Sequence, residues 1–145
     1  MPIMSSLPKY AVLAIVVGGL GTWIWQLAAP GGSDAGAVGE VQMPELSQAA
    51  LEGKDAFQGA CADCHGARAA GTEKGPPLVH QIYNPGHHSD EAFFRAAVSG
   101  SPQHHWRFGD MPPQPEVSRE EVAKIVRYVR ELQRANGITT QPHRM

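Results

Sequence analysis

Cys61-Ala62-Asp63-Cys64-His65 places two thiols and an imidazole within five residues. Two residues between the thiols let both sulfurs add across the two vinyl groups of one porphyrin. The next side chain, His65, is then held under the iron and offers its imidazole as an axial ligand. This C-x-x-C-H spacing is the attachment signature of a c-type haem. These are the only cysteines in the 145 residues, so both would be consumed as thioethers. Two other chemistries use such a pair. A redox-active dithiol sits at a helix N-terminus in a βαβ setting, and no such pattern occurs here. A structural zinc site needs four ligands, and no second cysteine pair follows.

Gly109-Asp110-Met111-Pro112-Pro113 offers a second iron ligand. Proline fixes φ and stiffens the turn. A thioether is a soft donor suited to haem iron, and a His/Met pair raises the potential and favours electron transfer. A methionine between an aspartate and two prolines is a poor candidate for core packing. Gly75-Pro76-Pro77-Leu78 follows the cysteine motif closely. A carbonyl near Pro76 in such a turn would accept the Nδ1–H of His65, fixing its tautomer and strengthening it as a donor.

Four more histidines come in tandem pairs, His87-His88 and His104-His105. They flank one expected helix. Three roles fit: solvated loop residues or partners of haem propionates, a second metal site for copper or zinc, or replacement of Met111 in a bis-histidine haem. Trp106, beside the second pair, would pack on the haem edge or bond a propionate. His80 and His143 show no usable pattern.

The elements that must position these groups are helical. Ser47 is a cap for a helix running to about Ala60, with Leu51 and Phe57 on one face. Ser89 caps a second helix ending at Gly100, a C′ glycine, and Ala92, Phe93, Ala96 and Ala97 repeat at helical spacing. Ser118-Arg119-Glu120-Glu121 is a capping box. It opens a third helix with the stripe Val122, Ile125, Val126, Val129 and Leu132, ended by Asn136-Gly137. No segment alternates as a strand would, so the fold class is all-α. Glycine and proline are plentiful and aromatics few, so a haem would supply much of the apolar body. Formal net charge is −2, and the domain's acids and bases balance. No basic run or basic–aromatic stripe suggests nucleic acid.

The N-terminal part reads differently. Tyr10 to Ala29 carries no charge over 20 residues, enough for about 30 Å of helix and so for the hydrocarbon core of a bilayer. Tyr10, Trp23 and Trp25 sit near its ends as interfacial aromatics do. Lys9 favours an N-inside orientation. A cleaved signal peptide is the rival reading; Pro30 after Ala28-Ala29 opposes cleavage there. The expected organisation is a cytoplasmic N-terminus (1–9), a transmembrane signal anchor (10–29), a Gly/Ala/Pro-rich flexible linker (30–46), a haem domain (47–137) and a tail (138–145).

From Gly53 to Gly137 the chain resembles the mono-haem class I cytochrome c family. Gly53-Lys54-Asp55-Ala56-Phe57 before Cys61-Ala62-Asp63-Cys64-His65-Gly66 is similar to the family's first helix and haem site. Gly75-Pro76-Pro77-Leu78 resembles its proximal loop, and Gly109-Asp110-Met111-Pro112-Pro113 its distal loop. Ile125-Val126-Arg127-Tyr128-Val129 resembles its last helix, whose aromatic crosses the first near Gly53 and Phe57. The resemblance implies a small cytochrome c fold around one covalent haem c, with His65 and Met111 as axial ligands. It implies one-electron transfer between respiratory redox proteins, no small-molecule substrate and no enzymatic activity of its own. An alternative makes the chain the cytochrome subunit of a membrane-bound dehydrogenase or oxidase. With the anchor, the expected location is a bacterial inner membrane with the haem domain in the periplasm.

Overall fold

The last helix is built from its own sequence outward. In the computed structural model, which describes residues 40–142, this helix spans Arg119–Ala135 and both halves of the capping box form. The Ser118 N–H donates to Glu121 Oε2 at 2.8 Å, and the Glu121 N–H donates to Ser118 Oγ at 3.2 Å. Among the described residues three other α-helices precede it: α1 (Gln48–Ala60), α2 (Ala62–His65) and α3 (Asp90–Ser99). The last helix is therefore α4. A 3-10 turn covers Gln81–Tyr83. Among the described residues there is no strand, only an isolated antiparallel bridge between Ser101 and Met111. The all-α expectation holds. The expected anchor at 10–29, the linker residues 30–39 and His143 lie outside the described residues. Among those described, no helix is long and apolar enough to cross a membrane.

All five stripe residues of α4 are buried. The helix packs on α1, and the two helices meet at Gly53. A Cβ on Gly53 would lie 1.9 Å from the Lys124 carbonyl oxygen, so only glycine permits this approach. One turn on, the Phe57 and Tyr128 rings pack at 5.4 Å between centroids, tilted by 59°. Fully burying side chains of this size is worth about 1.5–3 kcal/mol each. The buried face of α1 is Ala50, Gly53 and Phe57, not the Leu51 face; Leu51 is 43% exposed. The close approach at Gly53 sets which face turns inward, and Leu51 lies about 100° round the helix from Ala50.

Two further expectations change. Ser89 occupies the N-cap position of α3, but its side chain makes no capping bond; Asp90 and Glu91 in the first turn complement the helix dipole instead. Residues 40–46, which composition assigns to a tether, are tied to the domain. Val41 is only 3% exposed and joins the core. The Gln42 N–H donates to Asn136 Oδ1 at 2.8 Å, and Asn136 Nδ2 donates back to Gln42 O at 2.9 Å. At the other end, Ile138 is buried, and the Gln141 N–H donates to Asn84 Oδ1 at 3.2 Å.

Candidate functional site

The helices and loops leave one side of the core open as a cavity of about 580 Å³. Its walls are mainly apolar, with Phe57, Leu78, Phe93, Val117, Val122 and Ile125 among them. This volume lies within the usual range for a bound organic group, roughly 300–1,000 Å³. Cys61, His65, Pro76, Trp106 and Met111 line the same cavity, as do all four paired histidines.

Cys61 closes α1, and Cys64 lies in the single turn of α2. The Cys64 N–H donates to Cys61 O at 3.2 Å and the His65 N–H to the same oxygen at 2.9 Å. One helical turn therefore carries both thiols and the imidazole on neighbouring positions. Cys64 is exposed and Cys61 half-buried. Burial, with a smaller contribution from Cys64, pushes the Cys61 thiol up to about 11. The segment after His65 wraps tightly around this turn. The Gly71 N–H donates to His65 O at 2.7 Å, and Thr72 Oγ1 donates to Cys64 O at 2.6 Å.

The Pro76 carbonyl lies 2.8 Å from His65 Nδ1. A carbonyl only accepts, so Nδ1 carries the proton and Nε2 keeps its lone pair. Burial lowers the proton affinity of the ring, partly offset by the Pro76 bond. The imidazole is thus neutral and fixed in the tautomer a metal needs.

Met111 is held by its backbone. It exchanges two hydrogen bonds with Ser101, each 2.9 Å, which closes the loop 101–111 at its base. Inside the loop, the Gln103 N–H donates to Asp110 Oδ1 at 2.9 Å, and the Gly109 N–H donates to Gln103 Oε1 at 3.0 Å. Gly100, at φ 74°, sits so close that a Cβ would lie 2.5 Å from Met111 O.

The residues fit a haem. The Trp106 indole N–H is buried without a well-formed hydrogen bond. The Tyr83 hydroxyl lies close enough to feel this N–H as a donor, and a carboxylate such as a propionate would offer it a better acceptor. A family model for cytochrome c matches residues 50–133, more than half of the chain. The chain belongs to the cytochrome c family. No curated protein and no solved structure matches it. Family membership implies covalent haem c, and Cys61, Cys64 and His65 stand where its attachment motif requires. When bound, that group supplies a reversible one-electron iron couple. As a c-type cytochrome the chain is an electron-transfer protein, and the family generally carries electrons rather than catalysing reactions.

Two polar residues of this cytochrome escaped the sequence reading. Arg130 and Gln133 are buried on the apolar side of α4. Arg130 Nε donates to Asp90 Oδ1 at 2.8 Å, and its two terminal nitrogens donate to Tyr83 O, Gln133 Oε1 and His88 O. Gln133 Nε2 donates to Leu78 O at 2.8 Å and to Tyr83 O at 3.0 Å. Together they anchor the backbone between the His65 loop and α3. The signal was their spacing, four residues on from the buried Val126 and Val129 respectively.

Proposed function

We propose that this cytochrome is a membrane-anchored electron carrier, with its haem domain in a bacterial periplasm, shuttling single electrons between redox proteins. The observation that carries the carrier reading is that His65, with Nδ1 tied to Pro76 O at 2.8 Å, and Met111 line one apolar cavity. Two protein ligands leave the iron no open position for substrate. His65 donates through Nε2. Met111 supplies a weak, soft donor from a braced loop. His65 is tied to Pro76 O and the Met111 backbone to Ser101, so little reorganisation would accompany the gain or loss of an electron. Support for anchoring comes from the uncharged run 10–29 with Lys9 before it.

Optical and potentiometric titration of detergent-solubilised protein tests this reading. Sharp reduced haem c bands and the weak far-red band of methionine-ligated ferric haem are expected. Met111→Ala should abolish that band and lower the potential. A band that survives in this variant overturns the ligand assignment. Recovery in the membrane fraction with residues 1–29 intact tests the anchor. A fixed dehydrogenase or oxidase partner, co-purified in mild detergent, would replace free shuttling with a subunit role.

A further inference from the structure

The paired histidines meet across the loops that flank α3. His87 Nε2 lies 3.1 Å from His105 Nε2, and His88 Nε2 lies 3.4 Å from His104 Nε2. Two of these rings have assigned tautomers. His88 Nδ1 is 2.8 Å from Ile82 O, and His104 Nδ1 is 2.7 Å from Pro102 O. Each carbonyl requires a proton on the nitrogen that faces it. While both rings are neutral, the facing Nε2 atoms of His88 and His104 both present lone pairs, and rings so arranged cannot hydrogen-bond each other. A proton or a metal cation between them resolves the contact, and the third and fourth histidines beside this pair favour the metal.

The spacing selects the kind of cation. Four nitrogens about 2.0–2.1 Å from one ion, in a tetrahedron, stand about 3.3 Å apart. The two pairs, at 3.1 and 3.4 Å, bracket that edge. Ligand atoms of His87, His88 and His105 all lie within 4.8 Å of one another, and His104 joins them through its 3.4 Å contact with His88. A donor set of imidazoles alone disfavours magnesium and calcium, which take oxygen, and suits copper or zinc. Backbone carbonyls on the outer nitrogens are the usual support for metal-bound histidine. Arg130 braces one of these histidines further by donating to His88 O.

We propose that His87, His88 and His105, with His104 held against His88, form a second metal site that binds one copper or zinc ion on the wall of the haem cavity. The site is independent of membrane anchoring and of the electron partner.

The test uses the haem-loaded, chelator-treated protein, titrated calorimetrically with zinc chloride and, separately, with copper sulfate. One equivalent of at least one ion should bind. Bound copper should show nitrogen hyperfine structure in its electron paramagnetic resonance spectrum. His105→Gln alters an exposed side chain and His88→Gln a half-buried one. Loss of an outer-shell partner weakens metal binding roughly 10- to 100-fold, and loss of a ligand should weaken it at least as much. The haem spectrum should stay unchanged in both variants. Absence of saturable binding by either ion overturns the proposal, as does undiminished affinity in both variants. A shifted haem spectrum in His88→Gln would assign that imidazole to the haem and overturn it equally.

Discussion

Ser101 and Met111 exchange two backbone hydrogen bonds, each 2.9 Å, so the expected distal ligand is fixed by its main chain rather than by packing of its side chain. Gly100 precedes this clamp at φ 74°, with room for no Cβ against Met111 O. Gly100→Ala should strain the left-handed position and push Met111 away, destabilising the domain by about 1–3 kcal/mol. The far-red band of the ferric protein should weaken in parallel. Denaturant unfolding monitored at that band and by far-UV circular dichroism measures both effects.

The Gly53 contact sets a second expectation. A methyl group there would overlap the Lys124 carbonyl at 1.9 Å, and backbone cannot rotate aside as a side chain does. Gly53→Ala should separate α1 from α4 and destabilise by about 3 kcal/mol or more. Gly59 lies in the same helix, where an added Cβ would meet nothing within 4 Å; Gly59→Ala should stabilise by about 0.4–1 kcal/mol. Equal effects of the two changes would contradict the crossing.

Glu131 ties α4 to the start of α1. The Ser47 N–H donates to Glu131 Oε2 at 3.0 Å and Ser47 Oγ donates to Oε1 at 2.7 Å, while Arg127 Nε donates to Oε1 at 2.8 Å. Burial opposes ionisation, but the Ser47 and Arg127 bonds outweigh it and hold this carboxyl below its ordinary value. A depressed folded value gives stability that is present above the unfolded glutamate value, about 4.3. That stability is lost as pH falls through the folded value. Glu131→Gln should destabilise by about 1–2 kcal/mol at neutral pH and flatten the acid limb of stability against pH. Urea midpoints between pH 3 and 7, in steps of roughly one unit, resolve this window.

Arg130→Met should leave the His88 carbonyl and the buried Gln133 Oε1 without their guanidinium donor, while the Tyr83 carbonyl keeps its bond from Gln133 Nε2. Each orphaned group costs about 1–3 kcal/mol, so a loss of about 2–4 kcal/mol is expected. Asp90 is largely exposed and adds little. Amide exchange should quicken at residues 80–90 more than in α1, which a general loss of stability would not produce.

What the sequence displayed was local chemistry. Cys61 to His65, Met111 between glycine and prolines, and the Ser118–Glu121 box each lie within a few residues, where spacing alone dictates geometry. The Pro76 carbonyl, 11 residues from His65, was still within reach of motif reasoning. Long-range pairings were not. Val41 enters the core because Gln42 meets Asn136, 94 residues away, and nothing in a Gly/Ala-rich stretch announces that. Leu51 points outward because Gly53 faces a neighbouring backbone, a tertiary constraint that helical periodicity does not contain. Arg130 and Gln133 broke the polar-out rule for the same reason: their partners are carbonyls of a distant loop.

The contact between the first and last helices also orders events in time. The core has no closed form until α4, the last helix among the described residues, has docked on α1. In the unfolded chain the Cys61 thiol is solvated; in the fold burial pushes it up to about 11. Because the thiolate is the reactive form, thioether formation is favoured on the unfolded chain and hindered on the folded one. Docking of α4 therefore ends the interval in which the cofactor is most readily attached.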